Sequence, residues 1–156
     1  PLTTQLADLR STVTKETITV LVSLASKHPS EFASIGEVLP QGDGFLKLLS
    51  NGKRLISDLA HDGICDILHE VCIPKILEIL PAYFKSKTAL VRLRSAQYYS
   101  IILVAYPIEL VQKYLDSIEK DFLTAGLDDQ AQDVRKEVRS CFVSYLKRKE
   151  LTARGK

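Results

Sequence analysis

The chain has 156 residues, 46% of them hydrophobic, with 21 lysines and arginines against 19 acids. That size suits one domain with a sizeable core, and so much apolar material at a net charge of +2 excludes a chain that cannot collapse. The longest purely apolar run, Ile101 to Tyr106, is far short of the roughly 20 residues a bilayer requires, the first residues given do not show the charged-then-apolar pattern of a signal peptide, and the charge is too small for a general nucleic-acid binder.

Taken in chain order, the apolar positions recur every three or four residues, which is the helical period. Val13, Thr17, Leu21, Leu24 and Ala25 form a first stripe, ended at His28-Pro29 because the residue before a proline resists the helical region. Leu39-Pro40 and Gly42-Asp43-Gly44 are expected to break the segment from Ser30 to Ser50 in two. Ile56, Leu59, Gly63, Ile67 and Val71 mark the next helix, and Ile73, Ile76, Leu77, Leu80 and Phe84 another. The segment from Leu90 to Tyr106 is apolar nearly all round, as expected of a helix packed on both sides. Val111, Leu115, Ile118 and Phe122 follow, then Val134, Val138, Cys141, Phe142 and Tyr145. Thr88, Asp128 or Asp129 are candidate caps, and Pro74 and Pro107 suit first turns. Thr17 to Val22 is β-branched, but it lies inside the helical period.

The breaks alternate between two classes. One holds Asp8 to Ser11, Ser50 to Gly52, Lys85 to Lys87 and Gly126 to Gln130. The other holds Lys27 to Ser30, Glu70 to Cys72 and Tyr106-Pro107. This is the layout of antiparallel helix pairs. Val13, Leu55, Val91 and Val134 stand 42, 36 and 43 residues apart, and a period near 40 with two helices per unit fits a HEAT-repeat solenoid. The expected architecture is therefore all-α, one domain over residues 1–150 with a tail over 151–156. The chain starts at Pro1 and holds no Met, so it is expected to be a piece of a longer protein.

The turns carry a resemblance. Asp8-Leu9-Arg10-Ser11-Thr12-Val13, Lys53-Arg54 leading to Gly63, and Ile73-Pro74-Lys75-Ile76-Leu77 leading to Lys85-Ser86-Lys87-Thr88 follow one another in register. Val91-Arg92-Leu93-Arg94 comes next, then Gly126-Leu127-Asp128-Asp129 and Asp133-Val134-Arg135-Lys136. In order and spacing these resemble the TOG domains of the CLASP family (cytoplasmic linker-associated proteins), with about four of the family's six HEAT repeats represented. The first repeat, with its Trp-bearing turn, is not among them. The resemblance implies a monomeric, non-catalytic domain of the microtubule cytoskeleton and spindle. It also implies that αβ-tubulin or microtubules bind along one edge formed by the turns within each repeat. On that edge the candidate tubulin contacts are Arg10, Ser11, Lys53, Arg54, Lys85, Lys87, Arg92, Arg135 and Lys136.

The residues themselves allow that edge a physical rationale. Its charge is mostly positive, whereas Lys27, His28, Glu31, His69, Glu70 and Glu109 give the opposite edge a mixed set. A basic rim steers an acidic partner such as tubulin. Arg135 and Arg139 could equally serve a ladder with neighbouring acids. A general HEAT scaffold that does not bind tubulin is the alternative reading.

Rival chemistries find little support. His28, His61 and His69 are scattered, and Asp62 with Asp66 reads as a solvated face. Cys65, His69 and Cys72 have offsets of four and three but no fourth ligand, so they read as core and not as a metal site. Gly42-Asp43-Gly44 lacks the ending of a phosphate loop, so no cofactor is expected. An odd count of three cysteines suits a reducing cytoplasm. The single Asn and absent Trp argue against a peptide-binding armadillo solenoid, and the tyrosines sit at core spacing, not as a nucleic-acid stacking platform.

Overall fold

The computed structural model describes residues 11–34 and 44–154, with the side chains of Ser11 and Ser34 excluded. Arg10, the side chain of Ser11 and the expected break at Leu39-Pro40 lie outside the described residues. The fold is all-α and HEAT-like in its helix pairing, with no strand among the described residues. It forms two compact units, Pro1–Ile76 and Leu77–Lys156.

In the first unit α1 (Ser11–Lys27) is followed by the short α2 (Pro29–Ser34) and α3 (Phe45–Leu48), then by α4 (Arg54–Glu70). The long pair α1 and α4 pack together, with α3 against α4. Ile18, Leu21, Ala25, Phe45, Leu46, Ile56, Ala60, Ile64 and Ile67 form the buried core. The stripe on α1 keeps most of the expected positions: Thr17, Leu21 and Ala25 are buried. Thr14 and Ile18 are buried, whereas Leu24 is 39% exposed. Buried Thr17 donates its hydroxyl to the Val13 carbonyl at 2.8 Å, satisfying its polar atom within its own helix. Gly63 is where α1 and α4 approach closely: a Cβ there would stand 2.7 Å from Ile18 Cγ2. Cys72 lies beyond Glu70, the last residue of α4, so the helical offset joining it to Cys65 and His69 does not continue. Cys65 Sγ instead stands 3.8 Å from His61 Nδ1.

In the second unit α5 (Ile76–Phe84) and α6 (Ala89–Ala105) are joined by a turn at 85–88. The stretch 108–127, here α7, is helical throughout but changes pitch. It passes from α-helix at Ile108–Val111 through 3₁₀ at Gln112–Tyr114 to a π segment at Ile118–Thr124. A second turn leads into α8 (Gln132–Arg154), which runs past Leu151 into the segment expected as tail. α8 packs along α6 and also touches α7. Phe122 is the hub of the core, stacked on Tyr99 at 4.2 Å and edge-on to Phe84 at 5.0 Å between ring centroids. A Cβ at Gly126 would meet Val138 Cγ2 at 2.5 Å, so α7 and α8 close tightly there. α6 is less enclosed than its composition implied: Val104 is 67% exposed, while Val91, Tyr98, Tyr99 and Ile102 are buried.

Candidate functional site: the corners within the helix pairs

Three corners share one local construction. In each, a short polar side chain accepts the backbone N–H two residues on, a bond that competes with helix and so favours turns and caps. Asn51 Oδ1 accepts from Lys53 at 2.8 Å, Ser86 Oγ from Thr88 at 3.2 Å, and Asp129 Oδ1 from Ala131 at 2.8 Å. The helix begins at the next residue in every case, at Arg54, Ala89 and Gln132. Thr88 is the N-cap residue of α6, as expected, yet its side chain makes no cap bond; Ser86 does that work.

Within the second unit the two corners are tied to each other. Arg92 donates Nε to Asp129 Oδ2 at 2.7 Å and Nη2 to Asp129 Oδ1 at 2.9 Å, a planar fork on a carboxylate. Its Nη1 donates to the carbonyls of Ser86 and Lys87 at 2.8 and 3.1 Å. Arg135 repeats the second half of this pattern, donating Nη1 to the carbonyls of Asp129 and Gln130 at 2.6 and 3.0 Å. The Arg92–Asp129 pair is largely enclosed, with side chains 16% and 8% exposed. Its fork holds the Asp129 carboxyl below the ordinary carboxylate range and raises Arg92 in turn. The first unit has a shorter version: buried Ser57, at the position matching Arg92 and Arg135, donates its hydroxyl to the Leu49 carbonyl at 2.8 Å.

The candidate residues therefore divide by what they touch. Arg92 and Arg135 hold backbone carbonyls; Arg92 also bonds a neighbouring acid, Asp129, whereas the hydrogen bonds of Arg135 go to carbonyls alone. Lys85 reaches Asp121 Oδ1 at 3.3 Å, and that bond holds the Asp121 carboxyl below its ordinary range. Arg54 lies 3.5 Å from Asp58 one turn along α4. Lys53 is the exposed N-cap residue of α4. Lys87 and Lys136 are exposed and carry no ion pair among the described residues. Exposed Asp128 and Asp133 sit in the same corners, so the local charge is more mixed than a count of cations suggests.

Sequence reasoning missed a second polar cluster. The π segment of α7 turns Glu119 toward α8, where it accepts from the Tyr145 hydroxyl and from Lys149 Nζ, the latter at 2.7 Å. The Lys149 bond lowers the Glu119 carboxyl and raises the ammonium. Thr124, donating to the Glu119 carbonyl five residues back at 2.8 Å, marks the wider turn. Nothing in the hydrophobic period announces a change of pitch, because Ile118, Phe122 and Leu123 are buried in either geometry. Among the described residues no group of three or more His, Cys, Asp or Glu could hold a metal ion. No helix of the described residues is long and apolar enough to cross a membrane.

Comparison with known proteins adds three findings. The family described as CLASP N terminal matches residues 1–154. An uncharacterized protein of Dictyostelium discoideum is 27% identical over 154 residues, 96% of this chain but only 18% of that protein, so the chain spans less than a fifth of its relative. The crystal structure of an engineered protein superposes with a TM-score of 0.54 at 18% identity, covering 92% of this chain and 60% of the other. That likeness bears on the fold alone.

Proposed function

Since the chain belongs to the CLASP N-terminal family, we propose that it is a non-catalytic module of the microtubule cytoskeleton that docks αβ-tubulin on the corners within its helix pairs. The family match over residues 1–154 carries this reading. The corners supply its physical support. Their backbone is fixed before any partner arrives, by side-chain bonds at Asn51, Ser86 and Asp129 and by Arg92 and Arg135. A preformed surface loses little conformational freedom on docking. Lys53, at the corner of the first unit, and Lys87, at a corner of the second, stand exposed, each placed to steer an acidic protein. A rigid corner also discriminates between conformations of its target, and differential affinity for curved or lattice tubulin is what would bias growth or pausing.

Size-exclusion co-migration with soluble tubulin tests the reading, comparing the native sequence with Lys53→Glu and Lys87→Glu combined. Both positions are exposed, so helical content by circular dichroism should match. The native chain is expected to co-elute at low ionic strength, less so near 0.15 M salt, where screening acts within about 8 Å. The double variant is expected to elute alone. Equal behaviour of two folded proteins would remove the corner assignment. Failure of the native chain to co-elute would leave the general HEAT scaffold as the better description.

A further inference from the structure

A groove opens between the first turns of α6 and α8. Ala89, Leu90 and Leu93 form one wall, and Ala131, Asp133 and Val134 the other. All but Asp133 are apolar. Its volume is about 170 Å³, close to the roughly 150 Å³ of an apolar cavity that takes up a benzene molecule. Val134 is fully buried, whereas Leu90 and Leu93 are only half-buried and so offer surface still to be covered. Asp133 stands nine positions before Phe142 on α8, two and a half turns, which places the groove on the opposite flank from exposed Phe142. A further helix pair stacked over Phe142 would therefore leave the groove open.

The walls are fixed in advance. The Arg92 fork on Asp129 ties the corner before α6 to the corner before α8, and α8 packs along α6. Filling such a groove costs little ordering of the protein. The sequence around it is charged. Lys87, exposed and without an ion pair among the described residues, comes two residues before Ala89, and exposed Lys136 follows Asp133 by one turn. An apolar recess with a polar border is the setting in which a single side chain anchors a protein interface. We propose that this groove seats one branched aliphatic or aromatic side chain from a surface loop of tubulin, with an acidic residue beside it facing Lys87. The inference rests on the reading that the corners dock tubulin, and it names what the corners of the second unit take. Charge at Lys87 steers and orients the partner, while apolar burial in the groove supplies affinity that salt does not screen.

The test titrates the labelled chain with soluble tubulin by fluorescence anisotropy at several ionic strengths. Ala89→Phe fills the groove from an exposed wall residue without changing the charge. It is expected to weaken binding at least tenfold at every salt concentration and to keep the salt dependence of the native chain, whereas Lys87→Glu should flatten that dependence. Leu90→Ser, which makes one wall polar, is expected to act as Ala89→Phe does. Gln132→Phe puts the same ring at the matching first position of α8, outside the groove, and is expected to bind as the native chain does. Circular dichroism checks that each variant is folded. Native-like binding by folded Ala89→Phe or Leu90→Ser would overturn the groove and leave the corner reading standing. An equal loss in Gln132→Phe would also overturn it, by showing that bulk anywhere in the corner governs docking. Absence of binding by the native chain would overturn both.

Discussion

Arg92 and Arg135 make the same pair of bonds one repeat apart: each guanidinium donates through Nη1 to the carbonyls six and five residues before it. The recurring Val-Arg dipeptide is thus a folding device. The valine seals the core at 0% exposure in both copies, and the arginine closes the turn that precedes it. Arg92 has the additional Asp129 fork, so one side chain fixes both its own corner and the next.

Replacing Arg92 by lysine keeps the charge but cannot reproduce four acceptors at fork geometry. Hydrogen bonds to charged groups are worth about 1.5–3 kcal/mol each when a partner is left unmet. Arg92→Lys is expected to destabilise the second unit by about 2 kcal/mol, and Arg135→Lys by less, since Arg135 lacks the carboxylate bonds. Urea unfolding followed by circular dichroism would rank them; equal and negligible shifts would show that the staple contributes nothing.

Asp129 gives the pH dependence. Its folded pKa is depressed, chiefly by the Arg92 bond, so it contributes stability above the unfolded value of about 3.9. That contribution is lost as the pH falls through the lower folded value. Asp129→Asn should therefore be least stable relative to the native chain near neutral pH. The gap should narrow in acid, below about pH 4. A gap that stayed constant from neutral to acid would contradict the ion-pair account.

How much of this was legible beforehand follows from which interactions have a period. The helix pairs were, because burial imposes spacings of three and four, and Ile56, Ile67, Leu80, Val134 and Val138 are buried as read. The corner positions were too, since Pro, Gly and short polar residues break helices for local reasons. A ladder role was already open for Arg135, but which acceptors Arg92 and Arg135 would hold was not legible. A cation in a turn looks the same in sequence whether it faces a partner or its own carbonyls. The Arg92–Asp129 bond joins residues 37 positions apart, and no local rule connects them. The stripe on α8 was legible only in part: Phe142 falls in the expected stripe by its spacing of four from Val138, yet it is 40% exposed.

The two close-approach glycines should be intolerant of a methyl group. At Gly63 and Gly126 the nearest atoms are γ-methyls of Ile18 and Val138, branched at Cβ and stiff about χ1, so relief requires backbone movement. Overpacking of this kind costs about 1–3 kcal/mol, against the small helix-propensity gain of Gly→Ala, about 1 kcal/mol. Gly126→Ala is expected to be the worse of the two, because Phe84 Cζ also lies 2.9 Å from the added carbon. Thermal unfolding of both variants would show it, and a raised Tm in either would disprove the close approach.

The thiols offer a probe of the second unit that needs no partner. Cys141 is buried, its Sγ 3.6 Å from the Ala96 carbonyl, and burial pushes its pKa up to about 12. Cys65 and Cys72 are only half-buried. Because the thiolate is the reactive form, labelling of the native chain with a disulfide reagent at pH 8 should leave one slow thiol, mapped to Cys141 by mass spectrometry. When reclosing outruns the chemistry, that rate follows the open population. Asp129 anchors the start of the helix bearing Cys141, so Asp129→Asn should accelerate its labelling about tenfold for each 1.4 kcal/mol lost. If Cys141 labels as fast as Cys65 in the native chain, α8 is not held against α6 in the way described.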